Sequence, residues 1–150
     1  MKRGYCGIGI EYPKTVENLG TLWRSAFNLG ADFIFTIGDR YYKQPTDTVK
    51  AWKHIPYFAY KDIEDFKNHI PKDCEVIGVE ILERARDLGT YCHPERAIYL
   101  LGGEDKTISE EAQQICTSIV KFNSKFCLNV AVAGSIVLYD RSTKETNQKM

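Results

Sequence analysis

The run Phe126-Cys127-Leu128-Asn129-Val130-Ala131-Val132-Ala133-Gly134-Ser135-Ile136-Val137-Leu138-Tyr139 constrains this chain more than any other stretch. It holds no charged residue and no proline. Chain ends fray unless they are docked, so an apolar segment here must find a partner surface. Val130 and Val132 alternate as in a strand. Leu128, Val132, Ile136 and Tyr139 step by four, four and three, and the absence of any turn signal favours a helix. Ala131, Ala133, Gly134 and Ser135 would let another backbone come close. Asn129 is a polar group that docking must satisfy or use.

Upstream, short apolar runs alternate with helical patterns. Tyr5–Ile10 reads as a strand. Thr15 is placed to cap a helix from Val16 to about Leu29, with Val16, Leu19, Trp23, Ala26 and Phe27 on one face and Gly30 just past its end. Strands are expected at Phe33–Ile37, Pro56–Tyr60, Glu75–Val79, Ala97–Leu101 and Ser118–Phe122. Helices are expected at Asp62–His69 and from Ser109 to about Cys116. The stretch Ile81–Pro94 gives no clear signal. This alternation predicts an α/β fold, a mostly parallel sheet flanked by helices. At 150 residues the chain is read as one domain, 1–150, with the polar end from Ser142, and 143–150 above all, expected to fray.

Lys+Arg and Asp+Glu balance at 20 each, which argues against gripping nucleic acid by bulk charge alone. No signal peptide is visible and no stretch reaches the ~18 apolar residues of a membrane span, so a cytoplasmic location is expected, with no membrane partner. The cysteines Cys6, Cys74, Cys92, Cys116 and Cys127 are odd in number and widely spaced. That argues against a disulfide scaffold and against a metal site; Cys92-His93 has no matching pair.

Three pieces share one order and spacing: Asn18-Leu19-Gly20-x-x-x-Arg24 on the first helix, Leu101-Gly102-Gly103-Glu104 at a strand end, and Cys127-Leu128-Asn129-Val130 opening the last helix. Taken singly, each has an ordinary reading as a cap, a turn acid or a solvated charge. Together they resemble the three signature motifs of the SpoU (TrmH-like) family of RNA ribose 2′-O-methyltransferases, within the SPOUT superfamily. The resemblance runs from Tyr5 to Tyr139.

It implies a C-terminal trefoil knot, a homodimer and S-adenosyl-L-methionine as methyl donor, with no metal. It implies an RNA substrate, tRNA favoured over rRNA. Arg24 takes the place of the arginine that activates the 2′-hydroxyl, and Asn18, Glu104 and Asn129 those of residues that hold the geometry. Val79, Gly102, Gly103, Phe122, Cys127 and Leu128 fall where the family binds its cofactor. Arg40–His54, rich in lysine, tyrosine and tryptophan, is a candidate RNA-contacting surface. The chain departs from the pattern in three places. Thr107 stands where the family usually has glycine, Val120–Phe126 lacks the usual Pro and Gly, and Cys127 replaces a serine. A knotted RNA-binding protein without methyl transfer is the alternative.

Overall fold

The computed structural model describes residues 4–38, 50–104 and 106–148. Seven strands form one sheet: β1 (Tyr5–Glu11), β2 (Phe33–Ile37), β3 (Tyr57–Tyr60), β4 (Glu75–Val79), β5 (Arg86–Asp87), β6 (Arg96–Gly102) and β7 (Ser118–Lys121). Their order across the sheet is β3-β2-β1-β6-β4-β7-β5. Every pairing is parallel. Among the described residues four α-helices cover it: α1 (Val16–Asn28), α2 (Ile63–Asn68), α3 (Glu110–Ile115) and α4 (Val130–Gln148).

The central strands are buried on both faces, as parallel strands flanked by helices must be. On one face Ile8, Ile10, Ile34, Tyr99 and Leu101 pack against Leu19, Leu22 and Trp23 of α1 and Val137 and Leu138 of α4. On the other, Phe33, Phe35, Ile98 and Leu100 pack against Ile63 and Phe66 of α2 and Ala112 of α3. Sequence writes this division into β1. Its isoleucines face α1 and α4, while Gly7 and Gly9 face the aromatic layer. A Cβ on Gly7 would sit 2.1 Å from the Phe33 ring, and one on Gly9 2.4 Å from the Phe35 ring. The glycines therefore make room for two phenylalanines.

Caps mark the helix starts. Asp62 accepts from the Asp65 amide at 2.8 Å, and the Ser109 hydroxyl accepts from the Ala112 amide at 3.1 Å. Thr15 holds the N-cap position of α1, but its side chain makes no capping bond.

The closing run opens into a helix whose docked face carries small residues beside the buried Val137 and Leu138. The small residues face inward: Ala131, Ala133 and Gly134 lie against the core, and a Cβ on Gly134 would meet Leu22 Cδ1 at 2.6 Å. The large stripe faces outward, with Val132 48%, Ile136 38% and Tyr139 61% exposed.

Helix α4 continues to Gln148, into the polar end expected to fray. Lys144 explains this: its ammonium donates to the Leu88 and Tyr91 carbonyls at 2.6 and 2.8 Å and pairs with Asp140 at 2.8 Å. The ambiguous stretch 81–94 contains β5, whose two exposed residues are too few to carry a periodic signal. No helix among the described residues is long and apolar enough to cross a membrane.

Candidate active site

The carboxyl ends of β4, β6 and β7 and the start of α4 enclose a cavity of about 510 Å³. Open α/β sheets bind ligands at this edge, and small-molecule sites span roughly 300–1,000 Å³. Val79, Gly102, Gly103, Phe122, Cys127 and Leu128, the six residues placed in a cofactor role by sequence, all line it. Glu104 and Asn129 stand in the same wall. Ser124 closes the turn ahead of α4 by donating to the Phe126 carbonyl at 2.9 Å, without the usual Pro and Gly.

Both glycines in the cavity wall also make room for the protein's own backbone. A Cβ on Gly102 would lie 2.6 Å from the Lys106 carbonyl oxygen, and one on Gly103 2.4 Å from the Tyr12 carbonyl oxygen. Both positions let the loop fold tightly against the protein's own backbone.

Three motif residues, distant in sequence, join in one hydrogen-bonded chain at the cavity rim. The Asn129 amide donates to Asn18 Oδ1 at 3.0 Å, and the Asn18 amide donates in turn to Glu104 Oε1. Glu104 Oε2 accepts from the Lys14 backbone at 2.8 Å. Asn129 Oδ1 accepts from the Ala131 and Val132 amides at 2.9 and 3.2 Å, so the same side chain caps α4. Partial burial alone would raise the Glu104 pKa. The donors from Asn18, its own loop, Lys14 and Thr15 outweigh it and hold the carboxyl below the ordinary carboxylate value. Glu104 is thus an ionised acceptor that orients Asn18.

Arg24 is not brought into this group. It lies exposed on α1 and does not line the cavity. Of the candidate surface Arg40–His54, positions 40–49 lie outside the described residues; Lys50–His54 forms a tight turn around a short 3-10 helix, Ala51–Lys53.

The sequence missed a second set of groups around the cavity. Glu11, at the end of β1 and 3% exposed, accepts from the Ser109 amide at 2.8 Å and the Ser109 hydroxyl at 2.6 Å. Glu80, just past β4, accepts from the Ile108 amide at 3.1 Å. These two carboxylates pin 108–109, immediately after Thr107, to the ends of two strands. An acid in the last position of a buried strand is the signal that could have found Glu11, since charge is rarely buried without a partner.

The model of the SpoU rRNA Methylase family matches residues 7–139. The chain belongs to the SpoU rRNA Methylase family. Among SpoU relatives, mouse tRNA (guanosine(18)-2′-O)-methyltransferase TARBP1 is 26% identical over 139 residues, covering 85% of this chain and 9% of that protein. The SpoU methyltransferase AviRb from Streptomyces viridochromogenes, solved with AdoMet, superposes with a TM-score of 0.86 at 18% identity, covering 97% of this chain and 60% of that one. The A. aeolicus TrmH/SpoU tRNA modifying enzyme superposes with a TM-score of 0.86 at 13% identity, covering 99% and 79% of the two chains. At these identities the superpositions establish a shared SpoU fold. The chain spans less than two thirds of AviRb and a small part of TARBP1.

Proposed function

We propose that this chain is an S-adenosylmethionine-dependent RNA ribose 2′-O-methyltransferase, acting on tRNA in preference to rRNA as a homodimer in the cytoplasm. The observation that carries the reading is the hydrogen-bonded chain Asn129–Asn18–Glu104 at the lip of the cavity. It unites all three family motifs beside a space of suitable size. The tRNA preference rests on the mouse relative and on the A. aeolicus tRNA modifying enzyme.

The cavity fits the methyl donor in chemistry as well as size. Val79, Leu101 and Leu128 give apolar walls for an adenosine, and the loop backbones of 102–103 and 127–128 supply polar groups. S-adenosylmethionine supplies a methyl group already activated on a sulfonium. What remains for the protein is positioning and electrostatics. Asn129 fixes the start of α4 beside the donor site. Glu104 and Asn18 hold that arrangement. Arg24 orients the ribose hydroxyl and stabilises charge developing on its oxygen; as a guanidinium it keeps its own proton.

The exposed stripe Val132, Ile136 and Tyr139 supports the dimer, because a second copy covering it would remove apolar surface from water. Arg24, exposed and outside the cavity wall, would then serve the partner's cavity. The trefoil knot at α4 belongs to the same reading.

Nucleoside mass spectrometry on tRNA incubated with the protein and S-adenosylmethionine tests the activity. A new 2′-O-methylnucleoside is expected, and its loss in Arg24→Ala with donor affinity unchanged. Calorimetry that finds no donor binding to the folded protein would sink the reading in favour of an RNA-binding protein without transfer.

A further inference from the structure

We infer that the turn Lys50–His54 is a base-stacking platform for an unpaired nucleotide of the RNA substrate, centred on the imidazole of His54. The inference relies on the reading above only for RNA as the partner. His54 is exposed, and one face of its ring stacks on Phe27 at 4.4 Å between centroids with 21° between planes. Phe27 lies one turn after Arg24 on α1, so the platform stands beside the residue assigned to the ribose.

The turn is held rigidly. The His54 and Ile55 amides donate to the Ala51 carbonyl at 2.8 and 3.0 Å. The Trp23 indole donates to the Ile55 carbonyl at 3.3 Å, and its ring packs on Tyr57 at 5.4 Å. Ala51 is fully buried beneath. A solvated loop would need none of these anchors. Lys50 enters the turn in the left-handed region at φ 51°, a conformation uncommon for lysine, and is exposed.

The chemistry favours nucleic acid over a protein partner. From Lys50 to Lys61 the chain carries three lysines and a histidine and no acid. Lys53 rides over the Trp52 ring at 5.4 Å, which places a cation and an aromatic surface together. Aromatic faces take unpaired bases of any identity, and flanking lysines meet the phosphates. Paired RNA hides those base faces, so the platform selects loops and unstacked nucleotides.

The test is fluorescence anisotropy without methyl donor, using a labelled RNA hairpin with an unpaired pyrimidine loop and a blunt duplex of the same stem. The whole 150-residue chain is used. His54→Ala should weaken hairpin binding by about tenfold and leave duplex binding unchanged. His54→Phe, which keeps a ring, should retain most of the affinity. Lys50→Ala and Lys53→Ala should each lower the salt dependence by about 0.7 in the log–log slope. Equal hairpin affinity in wild type and His54→Ala overturns the inference, as does a loss in His54→Phe as large as in His54→Ala. Wild-type protein that binds neither RNA also overturns it. Calorimetry with S-adenosylmethionine on the same samples reports separately on the methyltransferase reading.

Discussion

Helix α4 is tied to the rest of the molecule by two polar networks, one at each end, and they differ sharply in burial. At its start, Asn129, Asn18 and Glu104 meet at an open rim, partly or largely exposed. Toward its end, Arg141 is 4% exposed and Tyr99 fully buried, and the His93 side chain is 3% exposed. Arg141 donates to the Pro94 and Glu95 carbonyls at 2.6 and 2.8 Å and to the Tyr99 hydroxyl at 3.0 Å. Tyr99 and His93 Nδ1 are 2.6 Å apart, and His93 Nε2 and Asp140 2.7 Å apart.

Arg141 can only donate, so the Tyr99 oxygen accepts from it. A neutral imidazole that accepts the Tyr99 hydroxyl at Nδ1 and donates from Nε2 to the Asp140 carboxylate leaves each of these polar atoms paired. Burial pushes the Tyr99 hydroxyl well above its ordinary pKa, with Arg141 partly offsetting it. Burial likewise lowers the His93 pKa, against the opposing pull of Asp140. A buried network with its partners in place rigidifies the fold around it.

The comparison breaks most sharply at Arg141. Arg141→Ala strips donors from two carbonyls and a buried hydroxyl, and should cost about 3 kcal/mol or more of stability in urea denaturation. A loss below about 1 kcal/mol would mean that the far network contributes little.

At the rim the expected pattern reverses. Glu104→Gln replaces the ionised acceptor of Asn18 and should lower methyl transfer about a hundredfold, with little change in stability. Asn129→Ala also removes a helix cap, so it should lose about 1 kcal/mol of stability along with activity. Normal turnover in Glu104→Gln would reduce the rim to a structural cap.

Acid separates the networks more gently. The folded-state pKa of His93 lies below its unfolded value of about 6.5, so the unfolded chain takes up the proton first. The His93 contribution is therefore present above about pH 6.5 and falls as pH drops below it, by at most about 1.4 kcal/mol per pH unit. His93→Gln should flatten that slope in denaturation measured between about pH 6.5 and 5. An unchanged slope would show that His93 does not gain its proton on unfolding.

Legibility in the sequence followed how local each cause is. β2 and β4 span the residues expected for them, because runs such as Phe33–Ile37 carry their own apolar signal. Asp62 and Ser109 cap helices where their side-chain chemistry says they should. Asn18, Glu104 and Asn129 were found through the order of their motifs, although their contacts span 86 and 111 residues. Glu11, Glu80, His93, Asp140 and Arg141 escaped, because a charged or polar residue at a strand end or on a helix reads as solvated until something covers it.

The sequence by itself determined the alternation of strands and helices, the family and the small-residue composition of the closing helix, since each is carried by residue type and spacing. Tertiary structure alone decided which face of that helix is buried. Close packing against Leu22 and Ile8 selects Gly134 and its small neighbours for the inner side and leaves Val132, Ile136 and Tyr139 outside. Periodicity finds a stripe, but only the shape of the opposing surface says which stripe fits.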